Sequence, residues 1–314
     1  MEEAVIVASG LSKTFQGGSV AVKNLDLEVR RGSVCGLVGR NGSGKTTTLR
    51  LLLGLLHPDQ GQARILGWDF WRAPRAVRGR VAYVGQTEQL PVWMTLEELC
   101  RCLTRWNQRW DQSHARVLAR QWGLPWKRPV GCLSAGEQRK VAILLAFAGR
   151  PEVLVLDEPA SGFDVIARRE LLEQIVDAIT QCEGCTVLLS THSVGDLERV
   201  ADYVGVLDQG RVAMSARLED LLNHTRRVQV IFEDEEPPAD FVIPGALHSR
   251  QAGSVVNAVV RLVDGRELDA LRGTPNVRVQ VFPIGLEEIF MELFGRDSRN
   301  GNGIVSGGEA KEIL

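Results

Sequence analysis

The chain has 314 residues, of which 44% are hydrophobic, enough for one large core and a smaller second domain. The 37 basic and 39 acidic residues nearly cancel, so the charge gives no reason to expect nucleic acid as a partner. The opening MEEAVIVASG carries acids where a secretory signal carries bases, and the longest apolar runs are far shorter than a bilayer span. We therefore expect a soluble chain without an export signal.

The chain first alternates strand-like and helix-like segments. Short segments with the alternating pattern of strands predict a small antiparallel sheet, and these are Val5–Val7, Val20–Val22 and Leu25–Val29. Apolar runs that predict a mostly parallel sheet, covered by helices on both faces, are Val34–Val38, Val81–Val84, Val153–Leu156 and Thr186–Ser190. Between the second and third runs, a tryptophan-rich stretch predicts an inserted helical subdomain. Two short strands at 204–207 and 211–214 predict a closing hairpin.

The sequence changes character near Thr225 and predicts a second, smaller α/β domain. Its strand candidates are Val228–Phe232, Val255–Val263 and Val277–Phe282, and a solvated loop is expected at 233–238. Apolar residues from Leu286 to Phe294 share one face of a short helix. We expect a main domain at 1–225 with its helical subdomain at about 87–150, a small domain at 226–296 and a disordered tail at 297–314.

A glycine-rich turn, GRNGSGKT at 39–46, lies between the first apolar strand and a helical segment at 47–56. Such a turn leaves backbone N–H groups pointing outward at the positive end of the helix dipole. Lys45 can then reach the outer phosphates of a nucleotide, and the Thr46 hydroxyl can coordinate Mg²⁺. The alternative, a plain surface turn, does not explain the strand and helix around it. The sequence therefore predicts a nucleotide-binding site.

Two further patterns carry candidate chemistry. The apolar run at 153–156 ends in Asp157 and Glu158; an Asp at the end of such a strand can hold Mg²⁺ through water, and the next Glu can polarise an attacking water. The alternative is a solvated acidic turn before a proline. In LSAGE at 133–137, Ser134 and Glu137 predict a helix capping box. A capped helix N-terminus can also bind an anion, so both interpretations of this motif stay open.

Together these motifs resemble the ATP-binding subunit of an ATP-binding-cassette (ABC) transporter, from Ala4 to about Thr225. LSAGE resembles the family's LSGGQ signature, with Ala135 and Glu137 as departures. Four other residues match family positions by order and spacing: Phe15 as the adenine-stacking aromatic, Gln86 as the glutamine loop, Asp164 in SGFD, and His192 as the switch histidine. Alone, Phe15 or His192 would more often be a packed residue, and Asp164 could simply cap the helix that follows.

The resemblance implies a P-loop NTPase core with an antiparallel β subdomain, an inserted helical subdomain and a small C-terminal α/β appendage. It implies an ATPase with ATP and Mg²⁺ as cofactors, in which Glu158, His192 and Gln86 are catalytic and Thr46, Gln86 and Asp157 hold the metal. The nucleotide contacts that it implies are Phe15, Gly39, Arg40, Asn41, Gly42, Ser43, Gly44, Lys45, Thr46, Thr47, Ser134, Gly136 and Asp164.

The family geometry further implies a homodimer that sandwiches two ATP molecules, each bound by the loop of one subunit and the signature of the other. An integral-membrane permease would be a second partner and would hold the chain, cytoplasmic, at the inner face of the cell membrane. The appendage resembles those of export-type cassettes for drugs, peptides or polysaccharides. The alternative function is a soluble ABC ATPase in cofactor assembly or on ribosomes or DNA. Trp93 either lines the permease groove or, the reading we favour, packs in the helical core.

Overall fold

A computed structural model describes residues 3–87, 90–182, 184–233, 236–238, 241–262 and 268–294. The chain divides into two compact units, the first extending to Ser215 and the second beginning at Ala216, so the division falls within the last strand of the first unit's sheet. The helices and strands of the first unit are β1 (Ala4–Thr14), β2 (Val20–Arg30), β3 (Val34–Val38), α1 (Lys45–Leu52), β4 (Gln60–Ile65), α2 (Arg75–Arg78), β5 (Val81–Val84), α3 (Leu96–Trp106), α4 (Gln112–Gln121), α5 (Ala135–Ala148), β6 (Val153–Asp157), α6 (Val165–Thr180), β7 (Thr186–Thr191), α7 (Val194–Val200), β8 (Tyr203–Asp208) and β9 (Arg211–Arg217).

The first unit is built on a six-stranded sheet with the strand order β5-β6-β7-β3-β8-β9. The pairs from β5 to β8 are parallel, as the apolar runs predicted. Every residue of β3, β6 and β7 is buried, because helices cover both faces of such a sheet. The predicted hairpin is formed by β8 and β9, whose turn residues Gln209 and Gly210 have φ values of 45° and 78°.

A smaller antiparallel sheet with the order β2-β1-β4 completes the first unit. The prediction of this sheet from the first 32 residues is confirmed, but β4 was missed. Most of its residues are exposed, so no clear apolar face marks it in the sequence. At Gly61, φ is +80° and a Cβ atom would lie 2.3 Å from the Gly10 carbonyl oxygen. Only glycine allows the two backbones to approach this closely.

The three longer helices between β5 and β6 form the predicted helical insertion. Each begins with a side-chain cap: Thr95 and Glu98 form a capping box at α3, Asp111 caps α4, and Ser134 and Glu137 form a second box at α5. Trp122 is buried, but Trp93 is 77% exposed and Trp106 is 70% exposed. The prediction that Trp93 is a core residue is therefore wrong, since its side chain is largely exposed to solvent.

The second unit contains a four-stranded antiparallel sheet with the order β11-β12-β10-β13. Val228, Val230, Val256 and Val260 on one face form its apolar core. The predicted strands and final helix are confirmed within the described residues; β11 was missed because most of its residues are exposed and polar. The tail at 297–314 lies outside the described residues. The elements are α8 (Leu218–His224), β10 (Thr225–Phe232), β11 (Ala246–Ala252), β12 (Val255–Arg261), α9 (Asp269–Arg272), β13 (Val277–Pro283) and α10 (Leu286–Phe294).

Candidate functional site

The candidate site residues follow the carboxyl ends of neighbouring parallel strands. The register pairs Val38 of β3 with Thr191 of β7, and Asp157 of β6 with Ser190 of β7. The residues that follow β3, β5, β6 and β7 therefore meet at one edge of the sheet, where open α/β sheets bind ligands. This edge brings together the loop at 39–46, Asp157, Glu158 and His192.

The glycine-rich loop passes directly from β3 into α1, as the sequence predicted. Gly44, with φ 103°, precedes the first helical residue and provides no side chain to cap the helix. A Cβ atom at Gly39 would lie 2.4 Å from the Leu207 carbonyl oxygen, and one at Gly44 would lie 2.3 Å from that of Ala21. These contacts require glycine. The first N–H groups of α1 have no partner within the helix, which makes its N-terminus a site for an anion such as phosphate.

Lys45 places a buried positive charge at the base of this loop. Its Nζ atom lies 2.7 Å from the Gly39 carbonyl oxygen and 3.3 Å from Oε1 of Glu158. Both side chains are only 6% exposed. A charge removed from water in this way requires a partner of opposite sign, because the desolvation penalty is otherwise severe. The loop and the acidic end of β6 are thus joined by an ion pair.

Asp157 has one carboxylate oxygen in hydrogen bonds and one without a partner. Oδ1 accepts hydrogen bonds from Thr46 Oγ1 at 3.2 Å and from Ser190 Oγ at 2.5 Å. Oδ2 is buried and has no hydrogen-bond partner among the described atoms. A buried acceptor left unpaired is costly, so this one requires an explanation. Carboxylate and hydroxyl oxygens are the ligands that Mg²⁺ prefers, and the residues present fit that ion.

Ser190 was not among the predicted site residues, but it contacts both acidic residues. Its hydroxyl donates to Asp157 Oδ1 and accepts from the backbone N–H of Glu158 at 3.1 Å. It therefore fixes the positions of both acidic residues. The signal in the sequence is a serine near the end of the buried strand β7, and its contacts depend on pairing with β6, which the sequence alone does not give.

Glu158 lies between Lys45 and His192 in an unusual backbone conformation. Its φ is 49°, a left-handed conformation that costs a non-glycine residue about 1–3 kcal/mol and that concentrates at functional sites. His192 Nδ1 lies 2.7 Å from Glu158 Oε2, and the histidine side chain is 42% exposed. The carboxylate is thus held on one side by a buried lysine and on the other by a histidine open to solvent. This geometry suits a base that polarises water.

The signature-like segment lines a different surface. A cleft of about 510 Å³ is bordered by Gln86, Gly136, Phe163 and Asp164, and none of residues 39–47 is among the described residues that line it. Asp164 caps α6 by accepting hydrogen bonds from Ile166 and Ala167 N–H at 2.9 Å. Its role as a helix cap is therefore confirmed. Gln86 and Phe15 are exposed and reachable by a ligand.

The capping box at Ser134 is also present, and it engages the atoms proposed for anion binding. The Ser134 hydroxyl donates to Glu137 Oε2 at 2.8 Å, and the Ser134 N–H donates to the same oxygen at 2.7 Å. The backbone hydrogen bond from Ser134 lowers the pKa of Glu137, with a smaller contribution from the hydroxyl. The family's usual glutamine lacks this negative charge. A phosphate would have to redirect the Ser134 hydroxyl from Glu137.

A phosphate-binding loop and an acidic strand end on a parallel sheet with a helical insertion define a P-loop ATPase of the ATP-binding-cassette fold. A family model described as "ABC transporter" matches residues 22–161, and one for "AAA domain, putative AbiEii toxin, Type IV TA system" matches residues 127–196. No helix among the described residues has both the length and the apolarity needed to cross a membrane.

Known proteins resemble the chain over nearly its whole length. It is 34% identical over 309 residues to the Nod factor export ATP-binding protein I of Cupriavidus metallidurans, covering 95% of the chain and 99% of the relative. It is 28% identical to the ABC transporter ATP-binding protein YtrB of Bacillus subtilis, covering 92% and 98%. A solved ATP-binding subunit of an ABC transporter is 29% identical, with a TM-score of 0.61, covering 70% of the chain and 92% of that structure.

The chain therefore belongs to the ABC transporter family, as its motifs indicated. It is an ATP-binding subunit, an ABC ATPase whose hydrolysis of ATP is coupled to transport. The predicted cassette fold is confirmed by this similarity and by the architecture of the first unit.

Proposed function

We propose that Glu158 is the general base of ATP hydrolysis and that the ATPase drives export through a separate membrane permease. The observation that carries the first part is the position of the Glu158 carboxylate, 3.3 Å from Lys45 Nζ and 2.7 Å from His192 Nδ1. In this account Glu158 accepts a proton from the attacking water, and His192 orients the carboxylate. Lys45 and the N–H groups of α1 bind the phosphates.

Mg²⁺, when bound with ATP, would supply positive charge that stabilises the phosphates during transfer. Thr46 and Asp157 are the residues that would hold it, with Gln86 from the exposed segment after β5. The partnerless Oδ2 of Asp157 supports this assignment. Ser190 would hold the other oxygen of Asp157 and so fix the orientation of the carboxylate.

Two copies of the chain would form the complete catalytic unit. Gly136 and Asp164 line a cleft apart from the phosphate-binding loop, so a second molecule is needed to bring a signature segment to the nucleotide. The ATP-binding cassette MJ0796, which has the same fold at 22% identity and a TM-score of 0.59, was solved as a dimer bound to ADP and Pi. A two-fold dimer would use the same surface on both copies.

Export is supported by the similarity to the Nod factor export protein. The matched region covers 95% of the chain and therefore includes the second unit. The permease would hold the chain at the inner face of the cell membrane. Its docking site would include Trp93, which follows the Gln86 segment and exposes a large aromatic surface beside the exposed Val92.

The test is to purify the chain from solubilised membranes and identify the integral protein that accompanies it. Trp93→Ala should reduce the recovered permease at least tenfold with an unchanged melting transition. Trp106→Ala, the same change at a similarly exposed ring in α3, should recover it normally. Recovery with no multi-span protein would contradict export through a separate permease.

A further inference from the structure

Arg139 joins the helix that carries the signature segment to the two segments that carry the proposed catalytic side chains. It lies on α5, one turn after the Ser134 capping box. Its Nε donates to the Pro159 carbonyl oxygen at 3.1 Å. Its Nη2 donates to the carbonyl oxygens of Asp157 at 2.9 Å and Glu158 at 3.1 Å. Its Nη1 donates to the carbonyl oxygen of Gly85, the residue before Gln86.

This arrangement depends on the shape of the guanidinium group. Its five N–H donors point outward in one plane at fixed angles, so one group can hold several carbonyls in a defined relative position. The carbonyls of 157, 158 and 159 are consecutive, and their directions are set by the left-handed conformation of Glu158, φ 49°. A charge-assisted hydrogen bond to each of them stabilises a turn that is otherwise strained.

We propose that Arg139 is a positioning residue for ATP hydrolysis, which sets the Glu158 carboxylate in its working geometry by holding the backbone beside it. This proposal rests on the role of Glu158 given above. Arg139 acts through Glu158, since its hydrogen bonds to this turn go to the main-chain carbonyls of 157, 158 and 159. Its effect should therefore fall on the rate of the chemical step, because a shift of about 1 Å in a catalytic group can cost about 100-fold in rate.

A purely structural arginine would behave differently. Loss of a structural contact lowers the free energy of unfolding, and activity then falls only as the folded fraction falls. A positioning role lowers kcat in fully folded protein. The KM for ATP should stay within about twofold, because a positioning residue acts on the chemical step, whereas phosphate binding is assigned to the glycine-rich loop.

The matched comparison is Arg139→Lys against Arg80→Lys. Arg80 forms a two-bond ion pair with Glu152 at 2.7 and 2.5 Å, beside the opposite end of β6. Both changes keep the positive charge and remove the planar fork. We expect Arg139→Lys to lower kcat about 10- to 100-fold at a temperature where it is fully folded, and Arg80→Lys to lower kcat less than twofold.

The closing experiment adds Arg139→Lys to Glu158→Gln and measures residual single-turnover hydrolysis. If Arg139 acts through Glu158, the double variant should be no slower than Glu158→Gln by more than about twofold. An equal kcat for Arg139→Lys and Arg80→Lys overturns the positioning role alone, as does a further 10-fold loss in the double variant. Undiminished turnover in Glu158→Gln overturns the proposed base, and the positioning role with it.

Discussion

The two units bury their polar groups very differently. The first unit buries Lys45, Asp157 and Glu158 at one edge of its sheet, whereas the buried polar or charged residue of the second unit among the described residues is Thr225. The core of the second unit consists of valine, isoleucine, leucine and alanine. Buried charge lowers stability unless partners compensate it. The difference indicates that the first unit tolerates the desolvation of buried charged side chains because its site needs them. The second unit can be accounted for by apolar burial.

The largest expected effect is at the buried lysine of the first unit. Lys45→Ala removes the cation that pairs with Glu158 and that would bind the phosphates, so we expect ATPase activity to fall at least 100- to 1,000-fold. Steady-state hydrolysis and nucleotide titration measure this. Lys127→Ala, at an exposed position of the same unit, is the matched control. Turnover of Lys45→Ala within threefold of the unchanged protein would show that Lys45 is not needed for ATP hydrolysis.

In the second unit, a core substitution should affect stability without affecting chemistry. Ile243→Ala empties a side-chain site that is 1% exposed, and we expect the unfolding free energy of this unit to fall by about 2–5 kcal/mol. Val242→Ala, at a neighbour that is 75% exposed, should change it by less than about 0.5 kcal/mol. Denaturant unfolding and ATPase assays check both. A tenfold loss of turnover in folded Ile243→Ala would show that the two units are not separable in this way.

The smallest effect concerns acid stability. A hydrogen bond from Arg80, followed by the charges of Arg80, Arg109 and Arg31, lowers the pKa of Glu152 below its usual 4.5. A lowered folded pKa gives stability that is present above pH 4.5 and is lost as the pH falls through the folded value. Glu152→Gln should therefore be less stable than the unchanged protein at pH 7, and this difference should shrink as the pH falls below 4.5.

Glu288→Gln provides the corresponding measurement in the second unit. Glu288 pairs with Arg227 at 2.7 Å, but it is more exposed than Glu152. An exposed ion pair typically contributes about 0–1 kcal/mol, so Glu288→Gln should lower the unfolding free energy at pH 7 by less than Glu152→Gln does. Unfolding free energies measured at pH 7 test the contrast, and an equal decrease in both variants would refute it.

The sequence predicted the elements whose signal is local. Strands β3, β6 and β7 are short and rich in apolar residues, which is typical of buried strands. The phosphate-binding loop is recognisable because its glycines and Lys45 follow a fixed spacing. Strands β4 and β11 were missed because their residues are largely exposed and give no apolar period. Solvent exposure of Trp93 was not predictable either, because burial depends on which neighbours fold against a ring.

The site was also predictable only where its residues belong to local motifs. Lys45, Asp157, Glu158 and His192 belong to motifs with fixed spacing, so their types and order sufficed. Ser190 and Arg139 act on residues far away in the chain, through a strand register and a helix position. No sequence motif marks these two side chains, and their hydrogen bonds to the acidic residues are apparent only in the folded structure.

The central claim is that two copies, each incomplete, close around shared ATP. The most direct test is the molar mass of Glu158→Gln in solution by light scattering, with and without saturating ATP and Mg²⁺ and with the permease supplied. Because this variant should bind ATP without hydrolysing it, we expect paired cassettes with ATP and separate ones without it, and adding Lys45→Ala should abolish the pairing. Cassettes that stay separate at saturating ATP and Mg²⁺ would contradict the account.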